Sequence, residues 1–283
     1  MEITFRKISH ALGAEVCGID ITQPISETEF GSIYRAFLEN GILLLRGQNC
    51  TREQHIEFSR RFGDLDNHDA LPRDRARDAH EILLVTNAPN ADGSPGEGRY
   101  TGRQWHSDMS FTSHPSLGSL LRAVKIPDVG GDTQFANMYA AYDTLPDALK
   151  QAIEGKTCIH DSSRNSAGEL RQGFQRTTDV TRTPGAVHPL VRLHPLSNRK
   201  ALFLGRRPGA YIHGLSVEES EKILDAVWMH ATQEQFTWYQ KWRIGDLVMW
   251  DNRCVMHRRD AFDESLRRLM HRTQIVGEPV LAG

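Results

Sequence analysis

Residues 245–258 read GDLVMWDNRCVMHR. A tight Gly245-Asp246 turn opens an apolar run from Leu247 that ends on His257. Read as one strand, the run is buried and carries His257 to the rim of a β-barrel or sandwich. A lone histidine is most often a packed core or surface residue, so His257 means something only with partners. Residues 105–111, WHSDMSF, offer two. On a strand, alternate side chains share a face, so His106 and Asp108 point one way and Ser107 the other. Such a pair is either a buried polar contact or two thirds of a metal site.

The surrounding chain reads as mainly β. MEITFRKISHALGAEVCGIDIT, broken by Gly13 and Gly18, gives two short strands. Ser26 with Glu29 forms a capping box that opens a helix, and Gly41 stops it. ILLLRG follows as a fully buried strand, and Thr51 with Gln54 caps a second helix. EILLVTN and LGSLLRAVKIP read as strands, GGDTQFAN as a turn and strand, AYDTLPDALKQAIEG as one helix, and AVHPLVRLHP with KALFLG as a hairpin. Ser216 with Glu219 caps a last amphipathic helix, ahead of FTWYQKW and RRLMHRTQIV. Short strands without βαβ alternation predict a single domain over 1–283, mainly β with helices flanking the core. The Gly-, Pro-, Asn- and Asp-rich stretches 64–104 and 161–186 are expected to be lid loops.

Composition narrows the partners. The 283 residues carry a net charge of −2, which does not point to nucleic acid or to an anionic membrane. The four cysteines are far apart with no C-x-x-C pair, so neither a thiolate zinc site nor a disulfide framework is expected. No signal peptide and no 18-residue apolar run is present, which predicts a cytoplasmic protein.

Two histidines and one carboxylate on one face match the facial triad of non-haem Fe(II) oxygenases. The same donors could hold a catalytic zinc in a hydrolase. Downstream of His257 lie Arg268 and Arg272, four apart, which on a strand share a face. Two guanidiniums looking into the cavity would suit a dicarboxylate cosubstrate and an anionic substrate. A zinc hydrolase leaves Arg268 without a task, and a non-catalytic binding module leaves the triad without one. Trp105, Phe111 and Trp250 read as core residues that could also line a dry cavity.

From GAEVCGIDIT through LLLRGQ, WHSDMSF, GGDTQFANMYAAYDTLP and VHPLVRLHP to GDLVMWDNRCVMHR and RRLMHRT, the chain resembles the Fe(II)/2-oxoglutarate dioxygenases typified by taurine dioxygenase and dichlorophenoxyacetate dioxygenase. The resemblance implies a double-stranded β-helix (jelly-roll) core with His106, Asp108 and His257 as iron ligands. It implies Thr133 and Arg268 on the distal carboxylate of 2-oxoglutarate, Arg272 on the substrate anion, and His68 in the substrate pocket. Fe(II), 2-oxoglutarate and O2 are implied as cofactor and cosubstrates, with ascorbate stimulatory, and a dimer or tetramer as the assembly. Where taurine-type members carry a tyrosine and an asparagine, this chain has Leu71 and Gly102. Both changes remove polar contacts suited to a small amino-sulfonate and leave room for a larger, more apolar molecule. The expected substrate is an aryloxyalkanoate, cleaved to a phenol and a 2-oxo acid. Sulfonates, alkyl sulfates and N-acyl amino acids are the alternatives.

Overall fold

The computed structural model describes residues 2–69, 75–89 and 101–283. A seven-stranded sheet forms its centre, in the order β1-β2-β3-β13-β5-β15-β4. Its strands are β1 (Thr4–Lys7), β2 (Ala14–Cys17), β3 (Ile42–Leu45), β4 (Leu83–Thr86), β5 (Gly118–Lys125), β13 (Leu247–Asp251) and β15 (Leu269–Ile275). The β2–β3 pair is parallel and the other pairs are antiparallel. A three-stranded sheet is formed by β12 (Thr237–Gln240), β6 (Thr133–Asn137) and β14 (Val255–Arg259). β11 (Tyr211–Ile212), β7 (Thr157–Asp161) and β8 (Gly185–Pro189) make another, and β10 (Lys200–Leu202) pairs with β9 (Val191–Leu193).

Strand alternation explains why ILLL has no polar position. Ile42 and Leu44 pack into the core shared with Phe135, Trp250 and Met256, while Leu43 and Leu45 pack into a second core with Ile33 and Phe37. Val248 and Trp250 of β13 face the first core, and Leu247 and Met249 the second. Both faces of the central strands are therefore covered, which is why they read as continuous apolar runs. The second core lies under helix α1 (Glu27–Asn40), whose Ser26 accepts from the Glu29 N–H while the Glu29 carboxylate accepts from the Ser26 N–H at 2.8 Å. Gly41, at φ +68°, ends it. Helix α2 (Arg52–Arg60) has the same reciprocal cap between Thr51 and Gln54. Phe62, just past α2, packs against Phe30, Tyr34, Phe37 and Phe58 at centroid distances of 5.0–6.1 Å.

Three local expectations are corrected. The run from Leu247 to His257 is two strands in different sheets, because Asp251 to Cys254 turn the chain from β13 into β14. Asp251 holds that corner: it accepts from Arg253 Nε at 2.8 Å and Nη2 at 2.7 Å, with His194 Nε2 at 3.0 Å. The stretch 141–155 lies in two helices, α3 (Met138–Asp143) and α4 (Asp147–Ile153), because Pro146 cannot continue α3. In the expected hairpin only β9 pairs with β10; β8 joins β7, a strand that the sequence pattern did not reveal. The capped α5 (Val217–Ala231) is as expected. Among the described residues, no helix is long and apolar enough to cross a membrane.

Phe62→Ala empties the centre of the aromatic cluster between α1 and α2. A loss of about 3–5 kcal/mol is expected in denaturant unfolding; a loss below about 1 kcal/mol would show that the cluster is not a stabilising unit.

Candidate active site

His106 and His257 are brought together by backbone pairing. Each N–H donates to the other's carbonyl, at 3.0 Å and 2.9 Å, in an isolated antiparallel bridge beyond β14's regular partners. The 105–108 stretch is therefore not a strand, as the alternation argument required, but one bridge followed by a turn at Met109, where φ is +53°. The outcome for the side chains is the same. His106, Asp108 and His257 are buried, with one ligand atom from each lying within 4.8 Å of the others. Asp108 Oδ1 is 3.7 Å from His106 Nε2 and 3.9 Å from His257 Nε2.

The charges suit a divalent cation. Burial alone would raise the Asp108 carboxyl, but Arg272, His257 and His106 hold it well below the usual carboxylate range. Burial lowers both histidines, His257 to about 3, so each is a neutral imidazole at pH 7. His106 Nδ1 lies 2.8 Å from the Gln104 carbonyl, which accepts a hydrogen bond from the Nδ1–H and leaves the Nε2 lone pair facing Asp108. Two neutral imidazoles and one ionised carboxylate are the donor set that Fe(II) takes in a facial triad.

Asn252, in the β13–β14 corner, fixes the aspartate's backbone and was not singled out from sequence. Its Oδ1 accepts from the Asp108 N–H at 2.8 Å, and its Nδ2 donates to the Asp108 carbonyl at 2.8 Å and the Ser116 carbonyl at 2.9 Å. Ser119 Oγ donates to Asp108 Oδ2 at 3.0 Å, and Arg272 Nη1 reaches both carboxylate oxygens at 3.2 Å and 3.3 Å. The only sequence signal for Asn252 was the polar break D-N-R inside an apolar run.

Arg268 reaches the Gly130-Gly131 turn, which leads into β6 at Thr133. Arg268 Nε donates to the Gly131 carbonyl at 3.2 Å, its one side-chain hydrogen bond within the described residues. A Cβ on Gly131, whose φ is +71°, would press on the Arg268 side chain at 3.3 Å. Burial, with repulsion from Arg259, pulls Arg268 down to about 9, still a cation at neutral pH. Thr133 Oγ1 accepts from Trp242 Nε1 at 3.0 Å, which leaves the threonine proton to donate elsewhere. Arg268 precedes β15, and a bulge at Leu269/Met270 separates it from Arg272, so the two do not share a regular strand face. Arg272 points to the triad and Arg268 to the turn.

His68 is buried beside Arg272; burial and that guanidinium push it down to about 4. Gly102, at φ +80°, lies beside the His106 ring, and a Cβ there would sit 4.0 Å from its Cε1. Its N–H donates to Ser166 Oγ at 2.8 Å, so the loop over 162–184 reaches the triad's edge. Leu71 lies outside the described residues, as does part of the first expected lid.

Against known proteins, the model of the "Taurine catabolism dioxygenase TauD, TfdA family" matches residues 4–274. The chain belongs to this family. It is 34% identical to the 2,4-dichlorophenoxyacetate dioxygenase of Cupriavidus pinatubonensis, over 99% of this chain and 100% of that one. To the (S)-phenoxypropionate dioxygenase of Delftia acidovorans it is 32% identical, over 96% and 94%. The crystal structure of AAD-2 with Mn(II) and N-oxalylglycine superposes with a TM-score of 0.81 at 33% identity, covering 99% of this chain and all of that one. The protein is thus an Fe(II)- and 2-oxoglutarate-dependent dioxygenase with a jelly-roll core. The zinc-hydrolase and binding-module readings fall away.

Asn252→Ala frees the Asp108 backbone without touching any donor of the dioxygenase's triad. Its Fe(II) or Mn(II) affinity, by titration, is expected to fall about 10–100-fold. Unchanged affinity would show that the clamp does not orient the aspartate. A pH series gives a second check on the metal-free protein. His55, His68, His257 and His271 are all lowered by burial, to between about 3 and about 4. The unfolded chain therefore takes up protons first, and stability should fall as pH drops from about 6.5 toward 4. Stability that rose over that range would contradict neutral buried imidazoles.

Proposed function

We propose that this dioxygenase hydroxylates the carbon next to the ether oxygen of an aryloxyalkanoate. The observation that carries the reading is a buried His-Asp-His triad with the Arg272 guanidinium on Asp108, and a second buried guanidinium, Arg268, at the glycine turn. Similarity over full length to a 2,4-dichlorophenoxyacetate dioxygenase supports the substrate class. So do Gly102, which adds no side chain beside His106, and Leu71, an apolar residue where taurine-type members are polar.

In this reading His106, Asp108 and His257 hold Fe(II). Arg268 pairs with the distal carboxylate of 2-oxoglutarate, and Thr133 donates its free proton to the same group. Arg272 holds the substrate anion while steadying Asp108, and His68, neutral at pH 7, packs against the same molecule. The bound iron supplies the oxidising chemistry: 2-oxoglutarate becomes succinate and carbon dioxide, and one oxygen atom of O2 enters the substrate C–H bond. The chain's own task is to orient that bond and keep water out. Trp250, fully buried with its ring 4.7 Å from His257, and Phe135, 6.0 Å from it, wall off the triad's inner side. Hydroxylation beside an ether oxygen gives a hemiacetal, which breaks down to a phenol and a 2-oxo acid.

The test is succinate and phenol release by enzyme supplied with Fe(II), ascorbate and 2-oxoglutarate, across aryloxyacetates, aryloxypropionates, taurine, alkyl sulfates and N-acyl amino acids. Aryloxyalkanoates should give the highest kcat/KM; faster turnover of taurine would sink this substrate class. Arg268→Ala should raise the KM for 2-oxoglutarate about 100-fold or more, because it leaves a buried carboxylate unpaired. An unaltered KM would remove Arg268 from the cosubstrate site.

A further inference from the structure

Among the described residues, Arg206 is a buried cation that pairs with no carboxylate. The residue is 7% exposed. Within the described residues its one side-chain hydrogen bond runs from Nη1 to the Arg164 carbonyl. Its Nε is sealed from solvent and has no acceptor among the described residues. Arg253 makes the contrast: similarly buried, it sits bidentate on Asp251. A guanidinium enclosed this way is costly unless an anion completes it.

Its place in the fold says where that anion would sit. The preceding residue, Gly205, accepts at 3.2 Å from the N–H of Ser107, the residue between the two ligands His106 and Asp108. The guanidinium lies 5.4 Å from the centroid of the Phe111 ring, which also carries Arg171 at 4.2 Å. Arg206 repels Arg171 and is attracted by Asp108 and Asp161; in turn it disfavours a proton on His106. Burial and Arg171 bring it down only to about 10, so it stays charged at neutral pH. The cosubstrate's guanidinium, Arg268, is held at the Gly131 turn instead. Arg272 divides its donors between Asp108 and Gln274.

Resting on the aryloxyalkanoate reading, we infer that Arg206 is a specificity-determining residue that binds the substrate's anionic group beside Arg272, with the Phe111 ring flanking the same molecule. Arg206 makes the enzyme prefer an acid over its neutral isostere. Its cost to the unliganded fold is a separate signature. Exchanging an uncompensated buried charge for an apolar side chain of similar length is neutral or stabilising, so the site trades stability for binding.

The experiment is an anaerobic calorimetric titration of enzyme loaded with Fe(II) and 2-oxoglutarate. Phenoxyacetate and phenoxyacetamide are compared on the wild type, Arg206→Met and Arg206→Lys. The wild type should bind the acid about 30-fold or more tightly than the amide. Arg206→Met should reduce that ratio to a few-fold, leave 2-oxoglutarate affinity unchanged and keep or raise the thermal midpoint. Arg206→Lys should recover part of the ratio. An undiminished ratio in Arg206→Met overturns the inference, and so does a parallel loss of 2-oxoglutarate affinity or of stability, which would mark a structural arginine. If the succinate assay names a sulfate or sulfonate instead, the aryloxyalkanoate reading fails by itself. The same titration with that anion and its neutral analogue then decides Arg206.

Discussion

Everything in the site depends on one pair of reciprocal hydrogen bonds, between the backbones of His106 and His257. That bridge joins a loop between β4 and β5 to the middle of β14, and it brings the two imidazole rings to a centroid distance of 4.2 Å. The Asn252 amide then fixes the backbone of Asp108 against the corner that delivers β14. The geometry of the three residues is thus set by main-chain pairing together with the Asn252 side chain. The side chains inherit it, and the Asp251 network with Arg253 and His194 anchors the corner from behind.

Much of this was legible in the residues, for definite reasons. Three capping boxes marked helix starts because the reciprocal Ser/Thr and Glu/Gln bonds are local. The central strands were legible because burial on both faces leaves no polar position. His106, Asp108 and His257 could be picked out by donor chemistry and by the resemblance, although the strand geometry assumed for them was wrong. Trp-His-Ser-Asp makes one bridge and turns, and its ligands converge through tertiary contacts that no alternation rule encodes.

What stayed hidden was non-local. The corner at Asp251 to Cys254 sits inside an apolar run, and its bonds to Gly41, Leu117 and His194, all distant in sequence, fix where the chain turns. Strand β7 was missed because its partners, β8 and β11, are short and distant in sequence. Arg206 could not be distinguished from the arginines around it until the fold showed which of them have carboxylates. A cationic residue type is visible in sequence; an uncompensated charge is a property of the enclosed space.

The corner between β13 and β14 has a consequence for the order of events in the life of the chain. The same few residues pass the backbone from one sheet to the other and clamp the ligand loop, so the triad cannot assemble before the two sheets have closed on each other. Ligands so far apart in sequence also carry a large loop-closure cost, which only the finished core offsets. Iron held by these three residues would therefore bind only to the folded chain. An unfolded chain presents the same donors, but without the distances that bring them around one ion.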